Sequence, residues 1–182
     1  MRISYNSPVI LSFALICTAV FFIDSFTGGT MMQYFSVGTQ LNANPRTIFS
    51  LFSHVIGHGS MEHLLGNMTF VLLLGPIVEE KYGGGKTVLM IILTALITGL
   101  INVMFFSTGL LGASGIVFML ILLVSFTNMK DGKIPLTFIL VALLFIGKEV
   151  IQSMQADHVS QAAHIIGGFC GSIFGFVSRK KA

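Results

Sequence analysis

Charge is what this chain has least of. Only 9% of its 182 residues are Asp, Glu, Lys or Arg, against about 25% in an ordinary soluble domain. So few charges cannot cover a water-exposed surface, and the 54% hydrophobic content points to an integral membrane protein. Cysteine is limited to Cys17 and Cys170, both in apolar stretches. That excludes a disulfide framework or a Cys-x-x-Cys metal site, and both are read as packed free thiols. The net charge of +3 comes without any basic patch interleaved with aromatics, so nucleic acid is not an expected partner. No linker, low-complexity tract or fixed-period repeat divides the chain, which reads as a single membrane domain over residues 1–182.

A bilayer core about 30 Å thick takes about 20 apolar residues per helix. Six segments meet or approach that length: 8–26, 61–78, 87–106, 110–127, 134–154 and 159–177. The first is too long for a signal peptide, and no small-x-small cleavage site follows it. Arg2, Lys81, Lys86, Lys130, Lys133, Arg179, Lys180 and Lys181 fall on one side of such a bundle, eight of the ten basic residues. The positive-inside rule makes that side cytoplasmic, with both termini there, as expected in a plasma (inner) membrane. Lys148 and Glu149 sit late in the fifth segment, where snorkelling to the outer interface is the plain reading. Residues 27–60 form a first external loop too long for a mere connection. Asn42 to Pro45 reads as a turn within it. Ile48, Phe49, Leu51, Phe52, Val55 and Ile56 then make an apolar face suited to the membrane interface. The expected architecture is an all-α membrane protein, a bundle of six transmembrane helices with a long, partly helical first external loop.

Polar residues open alternate segments. His63 and Asn67 open the second, Ser114 the fourth and His164 the sixth. Even-numbered spans run in one direction, so all four fall on the same side at similar shallow depth. Gly112-Ala113-Ser114-Gly115 puts a serine in a first helical turn, where unpaired N–H groups favour negative charge. A serine in a span is more often a packing residue, and Gly-x-Ser-Gly alone is weak. His164 heads a stripe of Gly167, Gly171 and Gly175 that lets a partner helix approach closely. Taken alone it is a satisfied core histidine; if the partner is span four, it reaches Ser114 as general base. His63 and Asn67, spaced i, i+4, share a helix face and can point two donors together, as an oxyanion hole requires. Helix packing is the bland alternative for Asn67. His54 and His58 have the same spacing, but Gly57 and Gly59 weaken a helix there. No thiolate or carboxylate completes a metal set, so structural histidines are favoured and neither metal nor cofactor is expected.

Together, His58-x-x-x-x-His63-x-x-x-Asn67, Gly112-x-Ser114-Gly115 and Ala163-His164-x-x-Gly167-x-x-x-Gly171 closely resemble the motifs of the rhomboid intramembrane serine proteases. The resemblance covers a motif-bearing core of about 44–177, in the family's order. It implies Ser114 as nucleophile and His164 as general base, without an acid. It assigns the oxyanion hole to His63, Asn67 and the Ser114 backbone N–H. His58, Gly112, Gly115, Gly167 and Gly171 are implied as site-adjacent support, and Glu79 resembles a structural glutamate after span two. One departure is visible. Many members carry Trp-Arg in the first external loop, whereas tryptophan is absent here and Arg46 after Pro45 is the nearest counterpart. The function implied is endopeptidase cleavage of membrane proteins at transmembrane or membrane-adjacent segments, near the extracytoplasmic face of the lipid bilayer. A catalytically silent, client-binding rhomboid-like protein is the alternative, and a small transporter or haem-binding bundle is a third reading.

Overall fold

A computed structural model of the chain describes residues 5–40, 44–106, 108–127, 136–137, 139–141, 143–144 and 158–177. The helices are α1 (Pro8–Phe26), α2 (Pro45–Ser53), α3 (Met61–Tyr82), α4 (Gly84–Phe105), α5 (Ser114–Thr127) and α6 (His158–Val177), with a 3-10 turn at Met32–Tyr34. The described residues between 136 and 144 are also helical. Among the described residues there is no strand, only an antiparallel bridge between Val37 and Leu110. By length and composition, α1, α3 and α4 can each cross a membrane, and Ser114–Ser125 and Ala163–Gly175 are shorter apolar helical stretches. This is a multi-pass helical membrane protein. Asn42, Lys148 and Glu149, and the basic residues Arg2, Lys130, Lys133, Arg179, Lys180 and Lys181, lie outside the described residues.

Helix ends are set by specific residues. Pro8 occupies the first turn of α1, where a missing N–H costs nothing. The next two N–H groups donate to one carboxylate: Val9 N to Glu79 Oε1 at 3.1 Å and Ile10 N to Glu79 Oε2 at 3.0 Å. A carboxylate there also meets the positive end of the helix dipole. Asn44 caps α2 by accepting from Arg46 N at 2.9 Å, with Pro45 following. Ser60 caps α3 through His63 N at 3.1 Å. Gly83, at φ 84, closes α3 and opens α4 in a corner whose left-handed backbone suits glycine.

Among the described residues, the largest departures from the apolar segments are at the end of α3 and the start of α5. α3 runs on to Tyr82 rather than ending at Val78, because Glu79, Glu80 and Lys81 continue the helix while breaking the apolar pattern. α5 starts at Ser114 rather than Leu110, because Leu110 exchanges two backbone hydrogen bonds with Val37 (2.9 and 3.0 Å) and Gly112 sits at φ 113. The apolar face of the segment between α1 and α3 also divides in two. Ile48, Phe49 and Phe52 are exposed, but Leu51 and Val55 are buried. They turn inward because α2 lies against α4, where Gly99 leaves only 3.0 Å between a would-be Cβ and the Leu51 carbonyl.

The core lies between α1, α3, α4, α5 and α6, with Ile10, Cys17, Leu64, Val71, Ile116, Met119 and Leu120 essentially inaccessible. Among the described residues, the most extensive helix contact is α5 on α6. A Cβ on Gly167 would overlap the Gly115 backbone, and one on Gly171 the Met119 backbone. The small-residue stripe on α6 therefore faces α5, backbone against backbone.

Two outcomes are expected. Glu79→Gln leaves one buried N–H of α1 without its carboxylate partner, a loss of about 1–3 kcal/mol. It should lower the thermal unfolding midpoint in detergent, and an unchanged midpoint would show that the Glu79 contact is not stabilising. Gly167→Ala, with no room for its methyl, should destabilise more than the same change at Gly66, whose would-be Cβ meets nothing within 4 Å. Equal midpoints would contradict the close α5–α6 packing.

Candidate active site

The loop before α5 decides where Ser114 stands. Its backbone is held at three places: Asn102 Nδ2 donates to Thr108 O (2.9 Å), Leu110 pairs with Val37, and Gly112 N donates to His54 O (2.9 Å). Ala113 O then accepts the first bond of α5, from Val117 N at 2.9 Å. The N–H groups of Ser114, Gly115 and Ile116 thus have no acceptor within the helix, as at any helix start. Ser114 is the first residue of α5 and is half-buried.

His164 lies one residue after Ala163, whose carbonyl oxygen is 3.3 Å from where a Gly115 Cβ would stand. Gly115 and Ala163 are the chain neighbours of Ser114 and His164, so both residues sit at one level of the α5–α6 seam. The Phe118 ring, one turn beyond Ser114, stacks on the His164 imidazole with centroids 4.4 Å apart and planes at 29°. Residues four apart share a helix face. The serine and the imidazole's stacking partner are therefore on the same side of α5.

His63 and Asn67 close the other side. A Cβ on Gly112 would lie 2.6 Å from His63 Nε2 and 3.6 Å from Asn67 Nδ2. Both side chains rest on the backbone two residues before Ser114, so glycine is required at 112 by contact as well as by φ. Asn67 Nδ2 is also 3.0 Å from His58 Nε2, and the His58 and His63 rings meet edge-on at 5.1 Å. Glu62 is exposed on another face of α3.

His54 and His58 are fully enclosed. His54 is engaged through Nδ1 with Ser50 O (3.2 Å) and through Nε2 with Thr98 Oγ1 (3.3 Å). His58 is engaged through Nδ1 with Ile56 O (3.0 Å) and through Nε2 with Asn67. Burial pushes both imidazoles down from 6.5 to about 4 against their backbone hydrogen bonds, and nearby His63 adds to the effect at His58. Among the described residues, no three His, Cys, Asp or Glu side chains group as metal ligands would.

Some neighbours of the site were not singled out from the sequence. Thr94, Thr98 and Asn102 are buried on α4 at i, i+4 and i+8, a polar stripe visible within an apolar segment. Phe118 was detectable only as the residue four beyond Ser114. The role of the His54 carbonyl as acceptor for Gly112 N–H leaves no trace in side-chain identity.

The arrangement is that of a multi-pass helical membrane protein with a serine at one helix start, a histidine beside it across the α5–α6 seam, and His63 and Asn67 at its flank. A family model described as the Rhomboid domain matches residues 45–181. The chain belongs to the rhomboid family. It is 29% identical over 113 residues to the rhomboid protease GlpG of Klebsiella pneumoniae subsp. pneumoniae, covering 62% of this chain and 41% of that protein. It is 25% identical over 136 residues to the GlpG of Haemophilus influenzae (73% of this chain, 71% of that protein). With the GlpG of Salmonella paratyphi A it shares 27% over 139 residues (74% and 50%). The match thus spans half or less of the Klebsiella and Salmonella relatives.

Because His54 and His58 are neutral when buried, their pH linkage has a definite sign. The unfolded chain takes up protons near 6.5 and the folded chain only near about 4. Stability is therefore full above about pH 6.5 and is lost as pH falls toward about 4. The unfolding midpoint should drop through that window, and the drop should shrink in His54→Gln. A midpoint level across the window would count against buried, neutral imidazoles.

Proposed function

We propose that this chain is an intramembrane serine endopeptidase with six spans and both termini cytoplasmic, in a plasma (inner) membrane. Its substrates are other membrane proteins, cut in transmembrane or membrane-adjacent segments near the extracytoplasmic face. The observation that carries this reading is the α5–α6 contact, which sets the neighbours of Ser114 and His164 against each other. Membership of the rhomboid family and the likeness to proteins named rhomboid protease support it independently.

In this mechanism Ser114 is the nucleophile and His164 the general base. A neutral imidazole takes the hydroxyl proton as the oxygen attacks the scissile carbonyl, then delivers it to the leaving amine. Water entering from the extracytoplasmic side releases the acyl group by the same route in reverse. The tetrahedral oxyanion is held by the first-turn N–H of Ser114, His63 and Asn67, donors fixed before the reaction begins. The Phe118 ring limits the rotation of the imidazole, a task otherwise done by a carboxylate in serine hydrolases. Gly112, Gly115, Gly167 and Gly171 keep the backbones close enough for the two groups to meet, and His58 supports Asn67.

Purified chain incubated with a single-span reporter tests this. Ser114→Ala and His164→Ala should each lower turnover by on the order of 10⁴, and a serine-directed phosphonate should label the wild type but not Ser114→Ala. Equal labelling of both would remove Ser114 from the nucleophile role. A reporter that binds but stays intact would favour the client-binding alternative.

A further inference from the structure

The Asn67 carboxamide can lie in its pocket two ways round, and only one presents a donor. Turned over, it would offer Oδ1 to the space beside Gly112, where a developing oxyanion would be repelled. The choice is made by His58, and it follows from a chain of hydrogen bonds ending in a group that can only accept. Ile56 O is a carbonyl, so His58 Nδ1, 3.0 Å away, must carry the ring proton. A neutral imidazole protonated at Nδ1 has a lone pair at Nε2. That lone pair, 3.0 Å from the Asn67 amide, requires an N–H. Asn67 therefore turns its nitrogen to His58, and the second hydrogen on the same nitrogen remains for the Gly112 side, 3.6 Å from the would-be Cβ there.

We propose that His58 is a positioning residue, which through the order Ile56 O, Nδ1–H, Nε2, Asn67 N–H keeps Asn67 turned as an oxyanion donor. His58 touches neither substrate nor reacting atoms. Its burial excludes water that would otherwise satisfy the carboxamide in either orientation, and its edge contact with the His63 ring ties the second donor to the same support. The inference rests on the proteolytic reading above.

The test uses the full chain in detergent with the single-span reporter. His58→Ala should lower kcat by about tenfold to a hundredfold with KM little changed, short of the 10²–10³ for deleting an oxyanion donor. His58→Gln, whose Oε1 reproduces the acceptor at Nε2, should recover most of that loss. The double variant His58→Ala, Asn67→Ala should be no slower than Asn67→Ala alone, since His58 acts through Asn67. Losses that multiply, or a Gln variant as slow as Ala at a wild-type unfolding midpoint, would overturn the proposal. If the wild type does not cut, or Ser114→Ala cuts equally well, the proteolytic reading fails. The hydrogen-bond order is then judged by histidine 15N NMR. Protonation of His58 at Nδ1, with an Nε2 signal that moves in Asn67→Ala, upholds it, and protonation at Nε2 overturns it.

Discussion

Everything at the candidate site depends on how closely α5 and α6 approach. Lipid tails are as apolar as leucine, so helices in a bilayer gain little from hiding apolar surface from each other. What holds them is van der Waals contact, which rises steeply as backbones close in. At Gly115, Gly167 and Gly171 the missing Cβ atoms allow a separation that any side chain would forbid. Ala163 and Phe118 then fall into place beside Gly115 and His164. The level of Ser114 relative to His164 is a consequence of that contact.

The opposite wall is built differently. The Ser114 loop is held by polar groups from two sources, α4 itself and the segment between α1 and α3. Backbone that is neither helix nor sheet must find partners when buried. Here Thr108 O finds Asn102, Leu110 finds Val37, and Gly112 N finds the His54 carbonyl. His54 is itself fastened to Ser50 and Thr98. The segment between α1 and α3 is thus part of the frame of the site, while Ile48, Phe49 and Phe52 remain outside it. One short helix serves both purposes because its two faces differ: Leu51 packs inward, and the aromatic side is left exposed.

Helix identity was readable wherever a long apolar run stood between breakers. α1, α3 and α4 follow from hydropathy, and α2 from Pro45 and its amphipathic spacing. Ends were less legible. Glu79 continues α3 because its carboxylate is required at the start of α1, sixty-nine residues before it in the case of Ile10. The apolar pattern, which counts charge as a break, has no access to that partner. The small residues at 167 and 171 announced a close contact, and their spacing located it on one face of α6. The polar stripe of Thr94, Thr98 and Asn102 was equally periodic, but its meaning depended on the loop that it supports.

The sequence by itself determined membership of the membrane, the helical class, the glycine stripe, and the residue types that a serine hydrolase needs, because these follow from composition and from spacing within single segments. Tertiary structure alone decided that Gly167 meets Gly115, that Phe118 covers His164, that Asn67 rests between His58 and Gly112, and that the His54 backbone holds the serine loop. Each of those contacts joins separate segments through backbone atoms or ring faces, and spacing along the chain carries no information about either.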